Sequence, residues 1–369
     1  MDESEGTMIE FQVRKDDPTV HRLVESADAD HAISDGQIRV AIKTFGLSAN
    51  NITYAVTGDQ LGYWQFFPPI GDETDGWGVM PVWGFAEVIE SRTAEIDVGE
   101  RIFGFFPAAT ELTMTPTKVS PLRFTEGAAH RSKLPGTYNS YRRVSAEPGY
   151  DRATDSERML LRPLFVTSYC LWDSLHDKDW YGAQQIVILS ASSKTSIGLS
   201  YALQEDPDAP PVTGLTSSRH VDFVNTLRTY DVGLAYDALS SIDSHLPTLV
   251  VDLSGNSEIL GSLHAHLGDN LAMCVTVGIT HWQKTGKQQG NLADRSEFFF
   301  APTHIQKRVA ELGRIEFDQR VSAFLSATAA KTRAWMKIVG THGFDGFGAL
   351  YSDVCKGRIA ADQGIVVEL

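Results

Sequence analysis

Apolar and polar residues change rhythm twice along this chain of 369 residues. In GQIRVAIKTFGLSANN they alternate one by one from Ile38 to Ile42, and the pattern breaks at Gly46. MPVWGFAEVIESRTAEIDVGERIFGFFP adds two apolar runs, parted by a polar turn that ends in Val98 and Gly99. A period of two with regular turn signals predicts a compact domain of short strands over roughly the first 150 residues. The polar, proline-dotted stretch from Pro107 to Pro135 predicts a long surface loop or lid, and TYNSYRRV (137–144) a returning strand.

Near Leu160 the period lengthens. FVTSYCLWDSL (165–175) spaces its apolar groups as a helix does. Four strand-like runs follow: IVILS (186–190), PVTGLT (211–216), TLVVDLSG (248–255) and LAMCVTVG (271–278), with VGLAY (232–236) a shorter fifth. Strands alternating with helices predict a parallel sheet with crossovers, hence an α/β domain. The chain reads as helical from Arg308 to Lys337, and GIVVEL (364–369) as a closing strand. Its length exceeds what one core usually holds, so two domains are expected.

IVILSASSKTSIGLSYAL (186–203) has the order strand, tight turn, helix, in which a helix N-terminus beyond a strand end attracts a phosphate. The turn holds no glycine. Ser192, Ser193, Thr195 and Ser196 supply hydroxyls instead, Lys194 a full charge, and Gly198 a site of close packing. Ser193 precedes the lysine where a P-loop needs glycine, which argues against a nucleoside triphosphatase. The second strand ends in Thr216, Ser217, Ser218 and Arg219, with no carboxylate to repel a 2′-phosphate and a guanidinium to pair with one. If a dinucleotide binds, NADP(H) is favoured over NAD(H); a serine-rich turn on a fold without a cofactor stays open.

The charge balance narrows the partners. Thirty-two Lys and Arg against 47 Asp and Glu give a net charge of −15, which argues against nucleic acid and anionic membranes. Three scattered cysteines form no disulfide or zinc framework. MDESEGTMIEF is acidic with no apolar signal core, and no run is long enough to span a bilayer, so a cytoplasmic protein is expected.

These segments together resemble the medium-chain dehydrogenase/reductase superfamily, on its zinc-independent quinone and enoyl reductase side. GQIRVAIKTFGLSANNITY is similar to the early strand and its turn, IDVGERIFGF (96–105) to the family's valine–glycine–acidic–arginine turn, and GLTSSRHVDFV (214–224) to its NADP-type second strand. The resemblance implies a GroES-like catalytic domain over 1–158, completed by 338–369, and a Rossmann-like, doubly wound nucleotide-binding domain over 159–337. It also implies Thr167 and Gly278 beside the nicotinamide. The zinc branch's cysteine is missing from SANNITY and its histidine–glutamate pair from PVWGFAEV, so no metal is expected.

A zinc-free reductase of this kind needs a proton donor, and a phenol suits one. Tyr63, in GYWQ, lies nearer the family's position than Tyr54, while Asn50 and Asn51 could orient substrate. In VGITHWQKTG (277–286), His281 could act as general acid and Trp282 wall an apolar pocket. Trp64, Phe66, Phe67, Trp77 and Trp83 suit an apolar or aromatic carbonyl substrate. The expected activity is an NADP(H)-dependent reductase acting on an enone, enoyl or quinone-type substrate. A lyase or hydratase on the same fold, or a non-catalytic binding protein, are the rivals. FFFAP (298–302) is an apolar edge segment that suits a homodimer.

Overall fold

Ile38, Val40 and Ile42 are buried on one side of the strand Ile38–Leu47, as their alternation with polar residues requires. The computed structural model describes residues 7–26, 32–277 and 294–369. It divides into two compact units, Met1–Leu160 with Lys337–Leu369, and Leu161–Met336.

Among the described residues, the first unit is built on a nine-stranded sheet. Ile38–Leu47 pairs antiparallel with Pro81–Ser91, which pairs in turn with Arg101–Pro107. On its other side Ile38–Leu47 pairs with Gln363–Glu368, so the GIVVEL segment is a strand as expected. Gly84 is needed at the centre of this sheet, because a Cβ there would lie 2.3 Å from the Thr44 carbonyl oxygen. A second sheet joins Met8–Arg14 to His21–Ser26 and Trp77–Val79.

The stretch from Pro107 to Pro135 is not a long loop or lid. It contains the short strands Glu111–Met114, Pro116–Thr117 and Arg123–Glu126, the first paired with Ile38–Leu47. Its prolines fall at strand ends and turns, where no ladder N–H is needed, and that punctuation hid the strands. TYNSYRRV likewise holds a strand only at Ser140–Arg143; Gly136–Asn139 is a single 3₁₀ turn.

Among the described residues, the second unit carries six strands, all parallel. Across the sheet they run Val232–Ala235, Val212–Thr216, Gln185–Leu189, Thr248–Asp252, Leu271–Val277 and Ser296–Phe299. In chain order that is 3-2-1-4-5-6, a doubly wound sheet whose strand order reverses between Gln185–Leu189 and Thr248–Asp252. Both strands are buried along their whole length, which accounts for runs such as IVIL that do not alternate. The helical segment after Arg308 breaks at Gly313, whose φ of +80° ends Ala301–Leu312 before Arg314–Arg333 begins. Among the described residues, no helix is long and apolar enough to cross a membrane.

Candidate functional site

The 186–203 turn takes a glycine-like conformation without a glycine. Ser190 has φ of +60°, the left-handed region that favours glycine and costs other residues about 1 kcal/mol. Its N–H donates to Tyr236 Oη at 3.0 Å, its carbonyl accepts from Ser193 N at 2.8 Å, and Tyr230 Oη donates to Ala191 O at 2.8 Å. These bonds hold the turn at the carboxyl end of the first strand, beside the point where the strand order reverses.

Ser193 is the N-cap of the helix Lys194–Gln204. Its Oγ accepts from Ser196 N at 3.2 Å and lies 2.8 Å from Ser196 Oγ, so this hydroxyl serves the helix. Lys194 opens the helix, adding its charge to the positive end of the dipole. The Thr195 carbonyl accepts from Ser168 Oγ at 2.7 Å. Gly198 packs helix against helix rather than helix against strand: a Cβ there would lie 2.6 Å from Ser168 Oγ and 2.7 Å from Phe165 Cδ1.

Ser192 joins this turn to the next one. Its Oγ accepts from Thr216 Oγ1 at 3.0 Å and lies 3.2 Å from His220 Nδ1, which is also 3.3 Å from Ser217 Oγ. Ser218 and Arg219 are exposed on the short 3₁₀ turn Ser218–His220. Burial lowers the imidazole's proton affinity and the Arg219 charge lowers it further. Asp252, at the end of the neighbouring strand, accepts from Ser254 N, Ser254 Oγ and Gly255 N, and so shapes its own loop. Thr167, half-buried on the helix Asp155–Asp177, donates to Pro163 O at 3.1 Å. Gly278, His281 and Trp282 lie outside the described residues.

In the first unit, Tyr54 and Tyr63 are buried together. Gly62, with φ of +78°, turns the chain out of the helix Ala49–Val56 region into the Tyr63–Gln65 turn. The two rings are 4.6 Å apart, and Tyr138 completes the group with its hydroxyl 2.8 Å from that of Tyr63. Trp83 Nε1 donates to Tyr54 Oη at 3.0 Å, and Phe66 and Phe105 close the cluster. Burial raises all three phenols above their ordinary value. Asn51 is held by the fold: its Oδ1 accepts from Ser48 N and its Nδ2 donates to Pro81 O.

The other aromatics expected to wall a substrate cleft have separate duties. Trp64 is sandwiched by Gly58 and Gly78, where any Cβ would overlap its indole, and Trp77 lies under the Arg22 guanidinium at 4.1 Å. Among the described residues, His176, Asp206 and Asp208 bring three donor atoms within 4.8 Å of one another, a grouping that spacing along the chain does not show. Tyr138, Tyr236 and His220 were not legible as site residues, because their partners stand 28 to 75 residues away.

Comparison with solved structures gives the same architecture. CurA from Vibrio vulnificus, solved in complex with NADPH, superimposes with a TM-score of 0.63 at 12% identity, covering 98% of each chain. A mutant form of enoyl thioester reductase from Candida tropicalis gives 0.59 at 12% identity, covering 98% of this chain and 100% of that one. The complex of Etr1p with NADP and crotonyl-CoA gives 0.58 at 12% identity over the same shares. The fold expected from the sequence, a GroES-like β domain with a Rossmann-like sheet, is therefore the fold of this protein. Comparison with curated protein sequences gives no match. The profile of the family described as "Protein of unknown function (DUF2855)" matches residues 45–360, and the chain belongs to that family.

Proposed function

We propose that this protein is a zinc-independent, NADP(H)-dependent reductase acting on an apolar enone, enoyl or quinone-type substrate. The observation that carries this reading is Ser190, whose backbone takes the left-handed conformation that favours glycine, in the turn between the first strand and its helix. Two further features fit a dinucleotide. The turn sits at the strand-order reversal, and the second strand ends in a segment, Thr216–His220, without a carboxylate. The structural neighbours solved with NADPH, and with NADP and crotonyl-CoA, support it as well.

The chain's own residues divide the work. The amides at the start of Lys194–Gln204, with Ser192, Thr195 and the Lys194 charge, hold the pyrophosphate. Ser193 caps the helix from which those amides project, and Ser218 and Arg219 bind the 2′-phosphate. A bound nicotinamide supplies hydride chemistry, with Thr167 and Gly278 on its flank. Tyr63, or failing it Tyr54, delivers the proton to the substrate oxygen, and His281 and Trp282 complete the substrate side, with Asn51 as a positioning residue. The segment 48–54 offers hydroxyl, amide and phenol groups where a zinc enzyme needs thiolate, so the proton chemistry falls to the phenol. The outer strand Ser296–Phe299 has no further neighbour among the described residues and is the edge proposed for a homodimer.

Thermal-shift titration tests the reading. NADPH should raise the melting temperature of the intact protein more than NADH does. Lys194→Ala should weaken both dinucleotides, and Arg219→Ala should cost NADPH about tenfold while sparing NADH. If neither dinucleotide moves the transition, the reductase reading is lost and a lyase, hydratase or binding protein takes its place.

A further inference from the structure

The hydrogen-bond chain Thr216–Ser192–His220 has a direction. Thr216 Oγ1 donates to Ser192 Oγ at 3.0 Å, so the Ser192 hydrogen is free to point at His220 Nδ1, 3.2 Å away. Ser217 Oγ stands 3.3 Å from the same nitrogen. In the neutral tautomer that carries its hydrogen on Nε2, the one the proposal requires, Nδ1 is an acceptor and the serine hydrogen is spent on it. In the imidazolium Nδ1 carries its own hydrogen. The Ser192 oxygen then becomes the acceptor, and its hydrogen must turn elsewhere.

We propose that His220 is a proton-controlled specificity residue for the 2′-phosphate: on protonation it releases the Ser192 hydroxyl to the anion and adds a positive charge beside Arg219. This rests on the reading of the turn as a dinucleotide site. The chain ties the strand-one turn to the strand-two turn, so one proton changes both places at which an NADP-type ligand would carry phosphate. The charged groups on the surrounding elements are Lys194 at the helix start, Arg219 on the same turn and Asp222 at the head of the following helix. Arg219 acts on His220 and, together with burial, lowers its proton affinity in the absence of an anion. A bound phosphate opposes both effects, so binding and proton uptake assist each other.

The sign of the pH response separates this from an ordinary phosphate site. A phosphate monoester loses negative charge as pH falls through about 6, so fixed cations alone hold it less tightly in acid. His220 reverses that trend.

The experiment is calorimetric titration of the full chain with NADP⁺ and with NAD⁺ at about pH 5.5 and 8.0, either side of the ordinary histidine value. Wild type should bind NADP⁺ about tenfold more tightly at the lower pH, the gain of one charge-assisted hydrogen bond, while NAD⁺, which gains only the Ser192 hydroxyl at its pyrophosphate, tightens less. His220→Gln, which fills a similar space without titrating, should bind NADP⁺ less tightly at the lower pH. Ser192→Ala, which keeps the imidazole but has no hydroxyl to release, should retain part of the wild-type response. A His220→Gln variant that follows the wild-type pH response overturns the proposal, as does a wild type that binds NADP⁺ without tightening in acid. Wild type that binds neither dinucleotide at either pH overturns the nucleotide-site reading, and this one with it.

Discussion

The hydroxyls of Tyr63 and Tyr138 lie 2.8 Å apart, although 75 residues separate them in the chain. Only one of the pair can donate to the other. Burial raises both; the charge of Tyr54 adds to the rise at Tyr63 and that of Tyr63 to the rise at Tyr138, while the bond between them lowers Tyr63 and raises Tyr138. Either hydroxyl can be the donor, and the proton transfer proposed for Tyr63 requires that it be Tyr138. Tyr63→Phe should therefore cut kcat about a hundredfold, as loss of a general acid does. Tyr138→Phe, losing one supporting hydrogen bond, should cut it about tenfold and move the alkaline limb of the pH–rate profile upward. NADPH consumption against a panel of enones and quinones reads both, and a Tyr138→Phe enzyme at full rate with an unmoved profile refutes the arrangement.

One substitution should act in opposite directions at two glycines of the second unit. At Gly198 a new methyl would meet Ser168 Oγ at 2.6 Å and Phe165 Cδ1 at 2.7 Å, both on a packed helix. Gly198→Ala should cost about 1–3 kcal/mol, the usual effect of overpacking. Gly261 lies exposed in the helix Ser257–Leu267 with nothing within 4 Å of its added Cβ. Gly261→Ala should gain about 0.5–1 kcal/mol by favouring the helix and restricting the unfolded chain. Urea denaturation of the two variants checks the pair, and equal shifts of one sign would contradict the packing described here.

Much of the architecture was legible because burial writes itself into the period of the chain. IVIL and TLVV are strands buried on both faces, and RVAI is a strand buried on one. The strands between Glu111 and Glu126 were not legible: they are two to four residues long, too short for any period to show. The site splits the same way. Ser192, Lys194 and Arg219 could be placed at turns because they sit at fixed offsets from a strand end. Tyr138 and His220 meet partners far away in the chain, which no local pattern records. Gly198 was readable as a close contact but not as a contact with a helix, since sequence gives the absence of a side chain and not its neighbour.

Ser190 gives a direct measure of what a side chain costs in a left-handed turn. Its left-handed backbone is imposed by Tyr236, Ser193 and the strand before it rather than chosen by its own residue type. Ser190→Gly relieves that strain but gives the unfolded chain more freedom to lose. The first effect is the larger, leaving a net gain of roughly 0.5 kcal/mol. Thermal unfolding should show a small rise in melting temperature. A fall would mean that the serine side chain contributes more than its backbone costs.

Glu147 contributes to the acid dependence of stability through two arginines. It takes a bidentate pair from Arg158, at 2.6 and 2.9 Å, and a third bond from Arg142 at 2.7 Å. Burial alone would push its carboxyl up, but the bonds and charges of the two arginines outweigh that and bring it to about 2. Because the folded value lies below the unfolded one, the stabilisation is complete above about pH 4.5 and is lost as pH falls through about 2. The depression corresponds to stabilisation of the order of 3 kcal/mol at neutral pH. Other carboxylates titrate over the same range, so the informative quantity is the difference between wild type and Glu147→Gln. That difference should be of the order of 3 kcal/mol at neutral pH and shrink steadily below pH 4.5. Denaturation measured across this range decides it, since a gap that stays constant into acid would leave Glu147 with no linked proton.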